Sequence, residues 1–336
     1  MAISGLGVDG VFQIAKESTY GTAESTGFTD LPARPESRIN SSVAMIENAN
    51  QIKSRLKQDP DLGREIVSGE LALDMAPDLM GLLMQLMLGD ATSSGDTTTG
   101  YDHYWLAPDS GSEVGYGATI RQFIGGDLGD EFAGTIISGF SISQDNEGNA
   151  IITLRVTGQD QKDDDVARPS SVTVSTKIPF YFGNWGVSIT PNGAGEITQK
   201  VDNVEIDVDL NYDLEKWQLG SANIQRPIFN GIPTVTMSMT IDAEKRFENW
   251  HREHKEFDVI LTATSTELAG SSSGEYLWAI ECPVCRLGTE NNIENSNENL
   301  KMTLEFDGGY GGTTTNSGTT AKMFEIRVTD ATATYA

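Results

Sequence analysis

The sequence predicts a mainly β protein with two like halves, each mostly antiparallel strand with one helix. Three observations carry that expectation. The 35 glycines and the many Thr and Ser residues suit turns and pleated strands better than helix bundles. Apolar and polar residues alternate along most of the chain, as they do in half-buried strands. One unit also returns in degenerate form at half the chain length. In its first copy a polar, Asn- and Gln-rich arm leads to Val67-Ser68-Gly69, an alternating strand, and a helix opened by Pro77 and Asp78. In its second copy the arm ends at Phe229-Asn230-Gly231, followed by the strand Thr234–Ile241 and a helix from Asp242. Gly69 and Gly231 stand 162 positions apart, and the strands before each arm, from Ile39 and from Val201, share that offset.

Taken in order, Val11–Lys16 alternates like a strand, Glu17–Thr22 (ESTYGT) reads as a turn, and Glu36–Met45 as a further extended segment. Glu47–Glu65 is a polar arm carrying Lys53, Arg55, Lys57 and Arg64, too long for an ordinary connection between neighbouring strands. After the strand Gly69–Met75, the helix Pro77–Leu88 has proline in its first turn, where no N–H is needed, and stops at Gly89, which suits a left-handed cap. Its Leu and Met residues lie nearly all round, which predicts burial on most sides. Asp90–Gly100 reads as a Ser/Thr/Gly-rich loop, with strands near Tyr104–Ala107 and Thr119–Ile124. Gly134–Gly158 is the most legible hairpin, turning at Asp145-Asn146-Glu147-Gly148.

The run Asp163-Asp164-Asp165, followed by Arg168-Pro169-Ser170-Ser171, reads as the linker between halves. Beyond it strands are expected in Val172–Ser175, Ile178–Phe182 and Val187–Thr190, then a second arm, Asn211–Gly231, with Trp217 and Arg226. A helix near Asp242–Glu253 places Phe247, Trp250 and His251 on one face. Strands follow at Asp258–Thr264, Tyr276–Cys285, Leu300–Phe306 and Met323–Thr329, the last after a Gly/Thr-rich loop, Gly308–Thr320.

With 336 residues the chain fits one large or two medium domains, each able to bury a core. A net charge of −26 argues against a surface that grips nucleic acid, which needs clustered Lys and Arg. It also keeps a concentrated protein soluble. Two cysteines make no disulfide framework. The start, MAISGLGVDGVFQ, lacks the cationic and apolar regions of a secretory signal, and the apolar run Leu79–Leu88 is too short to span a bilayer. The chain is therefore expected to be made in a cytoplasm, without membrane contact.

Cys282-Pro283-Val284-Cys285 with His251 and His254 offers a Cys2His2 set on paper. However, both cysteines lie in a strand-like stretch rather than a tight knuckle, where residues three apart face opposite sides. A buried thiol and a surface helix with two histidines is the plainer reading. Gly125-Gly126 is no phosphate loop, because no Gly-Lys-Ser/Thr follows. No signature singles out a nucleophile, a base or an oxyanion hole. No enzyme activity, cofactor, metal or catalytic residue is expected.

KESTYGT from Lys16, REIVSGELALDMAPDLMGLLMQLMLG from Arg64, and EFAGTIISGFSISQDNEGNAIITLRVTG from Glu131 resemble the major tail tube proteins of long-tailed (siphovirus-type) bacteriophages. The resemblance covers most of the first half; in the second it rests on the duplicated pattern. It implies two tandem tail-tube-like β-sandwich or barrel domains, 1–165 and 166–336, each with one flanking helix and a long arm. Six such domains close a ring, so three chains would form a trimeric ring with pseudo-sixfold symmetry. Rings stack into a hollow virion tail tube that encloses a tape-measure protein, meets a tail terminator, and conducts DNA without sequence-specific binding. One tube domain with an added outer domain would instead imply six chains per ring. An acidic channel wall would keep DNA from sticking. Lys53, Arg55, Lys57 and Arg64 are expected to reach the acidic face of the next ring. Two other functions compete. One is an inner-tube or baseplate component of a contractile injection system, with a single tube domain and a sheath partner. The other is a glycan-binding or glycan-cleaving β-sandwich, which would need exposed aromatics flanking a carboxylate pair; Trp185, Trp217 and Trp250 could serve, but nothing in the sequence brings them together.

Overall fold

The computed structural model describes residues 10–46, 61–108, 115–125, 128–198, 201–214, 216–221, 223–288, 293–295, 300–309, 311 and 323–335. Among them are nineteen strands and two α-helices. The first half contains β1 (Val11–Lys16), β2 (Thr29–Leu31), β3 (Arg38–Ile46), β4 (Asp61–Asp74), α1 (Met80–Leu88), β5 (Thr92–Asp96), β6 (Gly100–Leu106), β7 (Ala118–Phe123), β8 (Leu128–Gln144), β9 (Ile151–Gly158) and β10 (Asp160–Ala167). The second contains β11 (Trp185–Pro191), β12 (Ile197–Thr198), β13 (Val201–Asp209), β14 (Thr234–Asp242), α2 (Lys245–Arg252), β15 (Glu256–Leu268), β16 (Glu275–Leu287), β17 (Ile293–Asn295), β18 (Leu300–Gly308) and β19 (Glu325–Asp330). Every strand pairing is antiparallel.

The two halves repeat one topology. In the first, β1 pairs with β7, β7 with β8, β8 with both β9 and β10, β9 with β4, and β4 with β3. In the second, β11 pairs with β15, β15 with β16, β16 with both β18 and β19, β18 with β14, and β14 with β13. A helix follows β4 and β14 alike. The repeat foreseen from the sequence is therefore present, but its register differs. Gly69 lies inside β4, opposite Ile39, whereas Gly231 precedes β14. The positions that correspond are Asp74 and Asp242, each ending its strand just before a helix. Counting cross-strand partners from them, Ile39 matches Ile206 rather than Val201, and Thr153-Leu154-Arg155-Val156 matches Thr303-Leu304-Glu305-Phe306.

Long strands turn corners between layers. At Phe132, β8 lies between β7 and β10; at Phe140 it lies between β9 and β13. One strand thus serves two sheets, as in orthogonally packed β-sandwiches. The buried face is continuous across both halves, with Leu71, Leu154, Phe140, Ile206, Met237 and Leu304 in one apolar cluster. α1 packs into it with every residue but Leu82 buried, as its apolar circumference requires. It starts at Met80, after a turn that holds Pro77, and Gly89 closes it at φ 82°, a backbone angle that favours glycine. α2 is shorter than expected and buries only Phe247 fully.

Several sequence expectations need correction. The acidic run Asp163–Asp165 is not linker but part of β10, which lies along the first part of β8; backbone pairing tolerates the exposed side chains of Asp163 and Asp165. Strands expected at Val172–Ser175 and Ile178–Phe182 are not formed, because that stretch finds no continuous neighbouring edge. Its Val172, Val174 and Ile178 are 41%, 43% and 54% exposed. The expected loop Asp90–Gly100 is instead the β5–β6 hairpin. Cys282 and Cys285 do not face opposite sides. A one-residue shift between the pairs Val259–Cys282 and Phe257–Cys285 turns both thiols into the core.

Candidate assembly interface

β3 and β4 form a hairpin whose paired part reaches from Arg38–Glu70 out to Ile46–Asp61, so residues 61–65 of the expected polar arm are strand. The outer end of this hairpin is exposed on the β3 side, with Val43, Met45 and Ile46 at 45%, 68% and 55% and Ile66 on β4 at 46%. Of the four cations expected to make contacts, Lys53, Arg55 and Lys57 lie outside the described residues. Arg64 is described: it is exposed on β4, with its guanidinium 4.9 Å from the ring centre of Trp217. That cation–π contact ties it to its own chain's second arm. The same arm returns to the first half elsewhere, as Arg226 Nη2 donates to the Gly115 carbonyl at 3.0 Å.

The junction between the halves is made of strand edges. Gly139–Gln144 of β8 pair with Asp209–Val204 of β13. Gly139 is needed there: a Cβ would stand 2.4 Å from the Val208 carbonyl oxygen and 2.5 Å from Arg155 Nη2. The vacated space lets Arg155, on β9, lie across β8 and reach the second half. Its Nη1 donates to Asp207 Oδ1 and its Nη2 to the Val208 carbonyl, both at 2.6 Å.

The matching edges of the two units are open. Among the described residues β3 pairs with β4 alone, and β17, the strand that follows β16, pairs with β18 alone. At Ile39 a side chain does what a strand would do: Gln122 accepts the Ile39 N–H at 2.7 Å and donates Nε2 to its carbonyl at 3.1 Å. Beyond Ile39 the edge is unguarded by such an amide, and Arg38, Asn40 and Ser42 are exposed.

Glu17, in the KESTYGT motif, is structural. Its carboxylate accepts the N–H groups of Gly21 and Gly134 at 2.7 Å and the Thr119 hydroxyl at 3.1 Å, fixing the turn to β8. Burial outweighs those donors and raises its pKa. The three tryptophans of the glycan alternative are not gathered: Trp185 packs on Trp278, Trp217 lies under Arg64, and Trp250 packs on Phe247 and Phe257. His251 and His254 sit at the end of α2 while both thiols are in the core. Among the described residues no three His, Cys, Asp or Glu side chains are grouped to hold a metal, and no helix is long and apolar enough to cross a membrane.

The structure is thus a repeated antiparallel β unit whose two copies are joined through strand edges. The family model described as phage tail tube protein matches residues 7–308, and the chain belongs to that family. It is a structural component of the virion tail that assembles with itself into a tube. No curated protein sequence matches it.

The sequence alone did not single out Arg155, Asp207 or Glu305. The signal that could have found them is the second copy of the hairpin strand, TLRVTG against TLEFDG, ending at Gly158 and Gly308.

Proposed function

We propose that three copies of this chain close a ring of six alternating tube domains, residues 1–165 and 166–336 of each, and that the rings stack into the tail tube of a siphovirus-type phage. The observation that carries this is the β8–β13 junction. The pairing of β8 with β13 within one chain supports a like joining between chains, with the edges of β3 and β17, each paired on one side among the described residues, taken by neighbours. Six units per ring, as the resemblance implies, need three chains of two units. Strand addition between copies supplies main-chain hydrogen bonds, and ring closure removes the exposed edges that would otherwise invite uncontrolled aggregation.

The polar face of the shared sheet, with Glu70, Glu205, Asp209 and Asp307 exposed, suits a channel wall that repels DNA phosphates over about 8 Å at physiological salt. A tape-measure protein inside the tube and a tail terminator at its end are the further partners. Lys53, Arg55 and Lys57, beyond the outer end of the β3–β4 hairpin, are assigned to the contact between stacked rings. Arg64 supports the hairpin through Trp217.

Cryo-electron microscopy of assembled tubes tests the ring: three chains per layer are expected, and six would overturn it. Changing Lys53, Arg55 and Lys57 together to Glu tests the arm. Assembly should weaken at low salt, and parental assembly would remove the arm from the stacking contact.

A further inference from the structure

The two units differ in charge where they meet. The cross-strand row Arg38–Glu70–Arg155 runs over β3, β4 and β9. Its counterpart in the second unit is Glu205–Ser238–Glu305, over β13, β14 and β18. Each row reaches a glycine: Gly139 on β8, and Gly288 just after β16. Gly139 is paired with Arg155, and the Gly288 N–H donates to the Glu305 carbonyl at 2.8 Å. A Cβ on Gly288 would lie 3.4 Å from Asp307 Oδ2 and 3.5 Å from the Glu305 side chain, an ordinary contact, whereas one on Gly139 would collide with Arg155 at 2.5 Å. At the first position Arg155 reaches the neighbouring unit; the position that matches it in the second unit holds an anion, Glu305.

The receiving strands are reversed as well. β13 offers Glu205, Asp207 and Asp209 on one face. The matching positions on β3 are Arg38, Asn40 and Ser42, and Asn40 Oδ1 accepts a hydrogen bond from Arg38 Nε at 2.7 Å, which holds the guanidinium over the place that corresponds to Asp207.

Resting on the trimeric ring proposed above, we infer that Glu305 of one copy meets Arg38 of the next, an ion pair of opposite sense to Arg155–Asp207, and that this reversal dictates which units join. A first unit meeting another first unit would set Arg155 against Arg38. A second meeting a second would set Glu305 against Asp207. Both are like-charge contacts, and repulsion of this kind suppresses wrong partners. Only the alternating order satisfies every seam. A second copy of this chain is thus the partner of the β3 edge, and Glu305 and Arg38 set its specificity. The backbone pairing between copies starts at Ser41, since Gln122 already closes Ile39.

Charge exchange tests this on the full chain. Arg38→Glu and Glu305→Arg are each expected to raise the concentration needed for assembly at low salt by about tenfold or more. Both should keep the parental thermal unfolding midpoint, because Arg38 is exposed and Glu305 only half-buried. The double variant, Arg38→Glu with Glu305→Arg, should assemble like the parent. Parental assembly of either single variant, or no recovery in the double variant, overturns the pairing. Chains per layer, counted on parental tubes, separates this from the ring itself: three chains per layer with an indifferent Arg38→Glu variant keeps the ring and discards the seam.

Discussion

Arg155 on β9 and Asp207 on β13 meet at 2.6 Å across the boundary between the two repeated units, over a glycine, Gly139, that leaves room for the contact. The pair is one-third and one-half exposed, so its direct contribution is small. Replacing either residue by Ala should lower unfolding stability by about 0–1 kcal/mol. A double-mutant cycle in urea checks this. A coupling well above that range would mean the pair holds the halves together rather than selecting how they meet.

Gly139 should matter more. A Cβ there collides with the Val208 carbonyl and the Arg155 guanidinium, so Gly139→Val should destabilise by about 1–3 kcal/mol through forced backbone shifts. Gly148, in the exposed hairpin turn with nothing within 4 Å of a built Cβ, serves as the comparison for local crowding, although its φ of 80° brings backbone strain of its own. Urea midpoints of the Gly139 variant equal to the parent would show that β8 and β13 do not need this close approach.

Gln122 is 3% exposed and satisfies both backbone groups of Ile39. Gln122→Leu keeps much of the bulk but leaves a buried donor and acceptor unmet, at a cost of about 1–3 kcal/mol for each. Hydrogen exchange of the Ile39 amide should accelerate in the variant. Unchanged protection would mean another group closes this edge.

Asp258 supplies a pH dependence. Burial, and then the negative charge of Glu281, raise its pKa from 3.8 to about 6. A carboxyl group whose folded pKa is raised gives stability that is fully present below its unfolded pKa and is lost as pH rises through the folded one. Between pH 4 and about 6 this residue should therefore make the fold progressively less stable. Asp258→Asn should remove that slope and stabilise the chain above pH 7, by about 1 kcal/mol once its partial exposure is allowed for. The measurement is the urea midpoint of parent and variant at pH 4.5 and 7.5. A constant difference between them would eliminate Asp258 as the source.

Both cysteines are fully buried, and desolvation raises the Cys282 pKa further. Neither should react with a thiol reagent until the chain unfolds, so labelling should track unfolding in urea. Rapid labelling of the native protein would contradict the burial.

Much of the fold was legible because it depends on local chemistry. Pro77 and Gly89 bracket α1 within a turn, Asp145–Gly148 makes a hairpin tip, and alternation marks most strands. Even the duplication showed, since two copies of a strand and helix keep their apolar spacing. Its register did not, because Gly69 lies within a strand and Gly231 before one, while the residues that correspond are the aspartates that end the strands, Asp74 and Asp242. The candidate interface was less legible. Three of the four cations expected there lie outside the described residues, and the fourth is engaged with Trp217.

The sequence by itself determined the β-rich class, the two like halves, both helices and the strongly acidic surface, because composition, spacing and turn residues act over a few positions. Only the tertiary structure decided which edges meet. Main-chain hydrogen bonds between strands are indifferent to side-chain identity, so β10 could recruit an acidic run that reads as linker, while an equally strand-like stretch after it found no partner. A one-residue shift opposite Cys282 and Cys285 reversed the face of one of them, which alternation cannot foretell. Arg155 and Asp207 are 52 positions apart and meet only because β8 and β13 lie side by side and Gly139 has no side chain between them.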